Sequence, residues 1–365
     1  MHITVAGAST WLLLLLGPSL AMGEDRPWSL EASGQPGVAP PPLAVLSTGN
    51  SSFVSAAPGG ELTYFSVRAL APDQMEVVED IATGAITAGC VLSDDGAVAA
   101  FTSQYESGPS YVRRFDNTTH SFLGDPYVFD GLATFAHAGS AMSACVRVGK
   151  QGAGHPPRKL EFFVVRPGTD GIAVQLLWAE DEYTLLKALA TNAAGTAVAA
   201  LSTPARADGR TIKEKLVVLS EAGVEQYKTV PLAGECAVAI SADGQVLAIG
   251  TNPGDRARID VYRRGSRCEL LYGRAVSGCL AGLPAVLVCD LAVANEGMAA
   301  AWTMTTGGRF GLLLVRQGSD CKPLKAPDTE ITNMGVRFVD QERLLVTSMQ
   351  RFTGRVNAYV APMQK

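Results

Sequence analysis

Short apolar runs broken by polar turn residues recur along this chain, and residues 236–252 show the unit most plainly. They read as strand, tight turn, strand. Ala237, Val238 and Ala239 make the first strand, and Val246 to Ile249 make the second. Between them, Asp243 can bond its own backbone and Gly244 tolerates positive φ, so residues 241–244 form the turn. Copies of the unit stand at 43–56, 87–102, 132–148, 185–202, 236–251, 286–303 and 331–349, seven in all. Their turns fall about 45–55 residues apart, the length of a four-stranded repeat. Two more strand-like stretches follow each copy except the last, which is followed only by 355–361.

That deficit has a remedy at the other end of the chain. Residues 27–31, Pro-Trp-Ser-Leu-Glu, precede the Pro-rich connector 36–42. A strand lent from the N-terminus to the last unit would cover its open edge and close a ring. The strands of a pair of β-sandwiches would also alternate with turns. The regular spacing, the one-strand deficit and the small residues of the inner strands favour the ring.

Residues Ser241-Ala242-Asp243-Gly244-Gln245-Val246-Leu247-Ala248 and Ser93-Asp94-Asp95-Gly96-Ala97-Val98-Ala99 look like an S-x-D-G-x-x-L-A turn. On these the chain resembles the WD-repeat-like and Tol-type seven-bladed β-propellers, over 27–363. The Gly-His and Trp-Asp dipeptides of true WD repeats are absent. The resemblance implies an all-β fold: a seven-bladed β-propeller of four-stranded antiparallel blades, the last closed by an N-terminal strand. Such folds carry enzymes, receptors and scaffolds alike.

The first 23 residues stand apart. They contain no Asp, Glu, Lys or Arg, carry the apolar run Trp11-Leu12-Leu13-Leu14-Leu15-Leu16, and end in Ala21-Met22-Gly23. This is the pattern of a signal peptide cut before Glu24, although its first residues carry no Lys or Arg, only His2. A retained anchor is the other reading; the run falls short of the ~20 residues a spanning helix needs. We expect residues 1–23 to be a signal peptide, 24–365 to be one propeller domain, and the protein to be secreted or to stay in the endoplasmic reticulum lumen. The sequons at Asn50 and Asn117 agree with that route and make both asparagines expected glycosylation sites.

A net charge of −5 and a pI near 5.5 argue against nucleic acid as a partner. Seven cysteines leave at least one thiol unpaired in an oxidising compartment. Cys268 and Cys279 flank a short loop and are the expected disulfide. Cys90, Cys236 and Cys289 open inner strands, where a free thiol behaves as a small buried hydrophobe. No cysteine spacing suits zinc, so no metal is expected on them. His120, His137 and His155 are scattered, with His137 assigned to an inner turn. Residues 149–154, Gly-Lys-Gln-Gly-Ala-Gly, do not continue as a phosphate loop. The acidic run 180–182 reads as a solvated loop, and no cofactor is expected.

Two functional readings stand. The favoured one is a non-catalytic protein-interaction module. In a propeller both sequons would map to one face. The long loops carrying Lys150, Arg158, Arg206 and Arg210, with Arg256 and Arg351 in equivalent loops, would map to the other, where they could dock an acidic protein partner. Such loops also gather Arg and Lys merely for solubility. The alternative is a propeller enzyme, lactonase-like or dehydrogenase-like, with a metal at the channel mouth held by acidic residues such as Asp130, Glu180 or Glu235. The nucleophile elbow G-x-S-x-G is absent from the sequence.

Overall fold

A computed structural model gives the fold. It describes the strands between Ser29 and Pro362 and several of the turns that join them. Residues 1–28, 35–50, 68–74, 93–97, 149–158, 204–212, 254–256, 280–285, 325–330, 351–355 and 363–365, with some shorter connections, lie outside the described residues. The expected signal peptide, Asn50, Asn117 and all six basic residues of the expected docking face fall there. No helix occurs among the described residues.

The described strands assemble into seven antiparallel sheets in chain order. The fifth runs Glu235–Ile240, Val246–Asn252, Arg258–Arg263, Glu269–Ala275, from the inner strand to the outer. The second, third, fourth and sixth sheets repeat this four-strand meander. In the seventh, Ile331–Phe338, Arg343–Gln350 and Val356–Pro362 are followed in space by Ser29–Gly34. That strand pairs Ser29 with Val360 and Gly34 with Val356, so the chain's first strand is stitched to its last, as expected from the strand deficit.

Burial follows each strand's place in its sheet. Second strands are covered on both sides: every residue of Val246–Asn252 is buried, as are the first six of Ala197–Thr203. The third strand Lys159–Pro167 alternates, and the outer strand Ser121–Val128 is largely exposed. The apolar cores lie between successive sheets. One joins the fourth sheet to the fifth through Leu216, Val218, Leu247 and Tyr262. Others join the second to the third, the third to the fourth, the fifth to the sixth and the sixth to the seventh. Ser29–Gly34 touches the first sheet, and Ser51–Ala56 touches Ile86–Leu92 of the second, which carries the ring round.

The first sheet contributes three described strands: Ser51–Ala56, Glu61–Val67 and Met75–Ala82. The outer strand of the third sheet, Ile172–Glu180, touches the third and fourth strands of the next sheet. By the same relation Ser29–Gly34 touches Glu61–Val67 and Met75–Ala82, which makes these the third and fourth strands. Ser51–Ala56 is then the second, and the expected inner strand from 43 lies outside the described residues.

The turn chemistry is as the residues require. Ser241 Oγ bonds Asp243 Oδ1 (2.6 Å) and accepts the Val246 amide (2.9 Å), while Asp243 Oδ1 accepts the Gln245 amide (3.0 Å). Gly244 takes φ 72°, where a side chain would strain the backbone. Two sequence assignments need correction. His137 belongs to the inner strand Leu132–Ala138, not to the turn, because its partner Met142 extends the ladder past it. Cys289 is exposed rather than buried: it sits at the irregularity between Val288 and Asp290, which turns it out of the packed face.

Candidate functional site

The meander fixes two faces. First-to-second and third-to-fourth turns leave from one, here the turn face; second-to-third and sheet-to-sheet connections leave from the other, the loop face. Lys150 and Arg158 stand between the second and third strands of the third sheet, Arg206 and Arg210 between those of the fourth, Arg256 of the fifth and Arg351 of the seventh. The strand ends flanking all six therefore lie on the loop face. Asn50 precedes the second strand of the first sheet, and Asn117 lies between the third and fourth strands of the second, so the strand ends beside both belong to the turn face. Thr119, the hydroxyl residue of the second sequon, is exposed and its amide donates to Asp116 Oδ1 (3.1 Å).

The inner strands supply the side chains around the axis. Asp290 of the sixth sheet accepts the Val336 amide of the seventh (3.0 Å) and the Leu291 amide (2.9 Å), and pairs with Arg337 Nη1 at 2.8 Å. His137, on the third sheet, is held neutral. Burial first, and then the Arg337 charge, bring its pKa down to about 3. Lys187 donates to Glu214 Oε1 (2.7 Å) and to the carbonyls of Leu232 (2.9 Å) and Gly234 (3.0 Å). Glu214 Oε2 in turn accepts the Leu232 amide (3.1 Å). Burial pushes the neighbouring Cys236 thiol up to about 11. Of these contacts, those of Asp290 to Val336 and Arg337 link one sheet to the next.

The turn face is laced together as well. Asn192 Nδ2 donates to the carbonyls of Ser241 and Ala242 (both 3.1 Å) in the next sheet's turn. Asn295 Oδ1 accepts the Asp243 amide (3.1 Å) from the sheet before it. Arg166 reaches Glu221 (2.6 Å) and the Ala194 carbonyl (2.7 Å), and Arg114 reaches the Gly168 carbonyl (3.0 Å). Sequence reading missed every one of these links, because each joins residues from different repeats.

Two expectations about chemistry change. Glu180 is not a free ligand at the channel mouth. It is buried on the outer strand of the third sheet and paired with Lys215 of the fourth, whose ammonium also lies 5.2 Å from the Trp178 ring. Asp130 is exposed in the connection after Ser121–Val128. The Cys268–Cys279 disulfide is not formed. Cys279 pairs with Cys321, their Cα atoms 5.6 Å apart, and Cys268 is a free, half-buried thiol. The core between the fifth and sixth sheets packs Cys279 and Cys321 side by side, whereas Cys268 packs into the core on the other side of the fifth sheet. Among the described residues no three His, Cys, Asp or Glu side chains group as metal ligands.

No family model and no curated protein matches this chain. Solved structures do. The β-propeller domain of the Trilobed protease from Pyrococcus furiosus aligns over 92% of this chain and 99% of its own, with 11% identity and a TM-score of 0.56. A chain of the mitotic checkpoint complex aligns over 96% of this chain and 98% of its own, at 12% identity and a TM-score of 0.54. Prolyl oligopeptidase B from Galerina marginata, bound to a 35mer hydrolysis and macrocyclization substrate, aligns over 85% of this chain at 14% identity and a TM-score of 0.55. The match spans only 46% of that enzyme's length. At such identities the likeness is one of fold. The ring of four-stranded sheets is a β-propeller, a fold found here among interaction assemblies and peptidases alike.

Proposed function

We propose that this chain is a secretory-pathway propeller that works as a non-catalytic scaffold and docks an acidic protein partner on its loop face. The observation that supports the reading is the separation along the chain of six basic residues from both sequons. Six basic residues lie in second-to-third connections of four sheets, which all start and end on the loop face, while both sequons adjoin the turn face. Glycans at Asn50 and Asn117 would shield the turn face and leave the other open. Loops on a rigid scaffold are where binding residues usually sit, and a basic loop field draws an acidic partner.

The test is cross-linking and mass spectrometry of the secreted full chain with its bound partner. Cross-links should map to residues 149–158 and 204–212, weaken with salt, and vanish in the triple variant Arg158→Glu, Arg206→Glu, Arg210→Glu. If that variant keeps the same partner at the same cross-linked sites, the loop face is not the docking surface. N-terminal sequencing should start at Glu24, and glycosidase treatment should lower the mass.

A further inference from the structure

Between the third and fourth strands of the fifth sheet the chain reads Arg264-Gly265-Ser266-Arg267-Cys268, directly after Arg263. This turn is held from three directions. The Arg264 amide donates to the Gln245 carbonyl (2.8 Å). The Arg264 guanidinium makes two bonds to Glu225 of the fourth sheet (2.9 and 2.5 Å) and one to the Gly244 carbonyl (3.3 Å). The Tyr227 hydroxyl donates to the Gly265 carbonyl (3.0 Å). The Arg264 hydrogen bond holds the Glu225 carboxyl below its usual range, so the Arg264 charge is spoken for.

Arg263 and Arg267 are different. Both are exposed, and neither has an ion pair or a side-chain hydrogen bond among the described residues. With Ser266, Cys268 and Glu269 they line a groove in the turn. Burial pushes the Cys268 thiol up to about 12, so this thiol adds no charge to the lining. The lining holds these two guanidiniums, the paired Arg264 and one carboxylate, that of Glu269, the cross-strand partner of Arg263. The groove is therefore positive on a chain whose net charge is −5.

The geometry points to an oxyanion-binding site here: Arg263 and Arg267 take a carboxylate or phosphate group, with the Ser266 hydroxyl as a further donor. A guanidinium presents a planar fork of N–H groups that fits such oxygens two at a time. A turn pinned by Tyr227 and Arg264 loses little freedom when the anion arrives, which favours binding. The site lies on the turn face, so it stands apart from the docking proposed for the loop face.

The experiment titrates the full secreted chain at low salt, in separate arms, with tripolyphosphate and with hexaglutamate, and follows the melting temperature. At least one anion should raise it. The variant Arg263→Gln/Arg267→Gln should melt at the wild-type temperature without anion, and its affinity should fall about tenfold or more. Glu269→Gln should bind more tightly, because a competing carboxylate is gone. Arg263→Lys/Arg267→Lys should recover part of the response. Arg158→Glu/Arg206→Glu/Arg210→Glu should respond as wild type, which separates this site from the loop face. A response to hexaglutamate alone assigns the site to acidic side chains, and one to tripolyphosphate alone to phosphate groups. If neither anion acts on the wild type, or the glutamine pair responds as fully as the wild type, the inference is overturned.

Discussion

Asn252, at the end of the fifth sheet's second strand, clasps the backbone of Val288 in the sixth. Its Oδ1 accepts the Val288 amide at 2.9 Å and its Nδ2 donates to the Val288 carbonyl at 3.4 Å. One side chain thus does across a sheet-to-sheet gap what a strand neighbour does within a sheet. Asn252→Ala would leave a buried N–H without a partner. We expect a loss of about 1–3 kcal/mol, read as a lower urea midpoint at unchanged slope.

Two residues earlier, Gly250 lets the same strands approach. A Cβ there would meet Val288 Cγ1 at 2.6 Å and Val288 Cβ at 2.9 Å, and Val288 is buried. Gly250→Ala should cost about 1–3 kcal/mol by overpacking. Adding Val288→Ala should restore part of the loss. A double-mutant cycle that gives plain additivity would show that the two side chains do not compete for this space.

Tyr272 ties the fifth sheet's outer strand to the sixth sheet. Its buried hydroxyl donates toward the Gly297 carbonyl (2.5 Å) and the Val315 carbonyl (3.1 Å). Tyr272→Phe keeps the ring and removes the donor. The expected cost is about 1–2 kcal/mol, with faster hydrogen exchange at residues 294–298 as the local sign.

Non-reducing peptide mapping should recover Cys279 joined to Cys321, with Cys268 alkylated in denaturant without reductant. Replacing both bonded cysteines by serine should cost about 2–4 kcal/mol, since the bridge closes a long loop. A Cys268–Cys279 peptide would contradict the packing described above.

His137 makes a pH prediction. Its folded pKa is about 3, against 6.5 for a free imidazole. Between these values the unfolded chain binds a proton that the folded one does not. The stability His137 brings is whole above pH 6.5 and is lost as pH falls toward 3. Glu225 loses its contribution in the same direction, but only below the ordinary carboxylate pKa, near 4.5. Unfolding measured at pH 7 and pH 5 should therefore show a smaller acid loss in His137→Gln than in the wild type. Equal losses would mean that His137 titrates normally in the fold.

The sequence by itself determined the strand and turn unit, its recurrence and the lending of the first strand to the last sheet. Those follow from local rules: Ser241, Asp243 and Gly244 build their turn within five residues, and buried second strands such as Val246–Asn252 need apolar residues on both sides. Chain direction also sorts the strand ends beside Arg158 and Arg206 from those beside Asn117. Tertiary structure decided which side chains meet across sheets. Asn252 finds Val288 36 residues on, Arg337 joins Asp290, burial and then the Arg337 charge lower the His137 pKa, and Cys279 takes Cys321 in preference to the nearer Cys268. Such meetings depend on how far one sheet is staggered and twisted against the next. That offset is set by packing the cores between sheets, and no pattern within a single repeat records it.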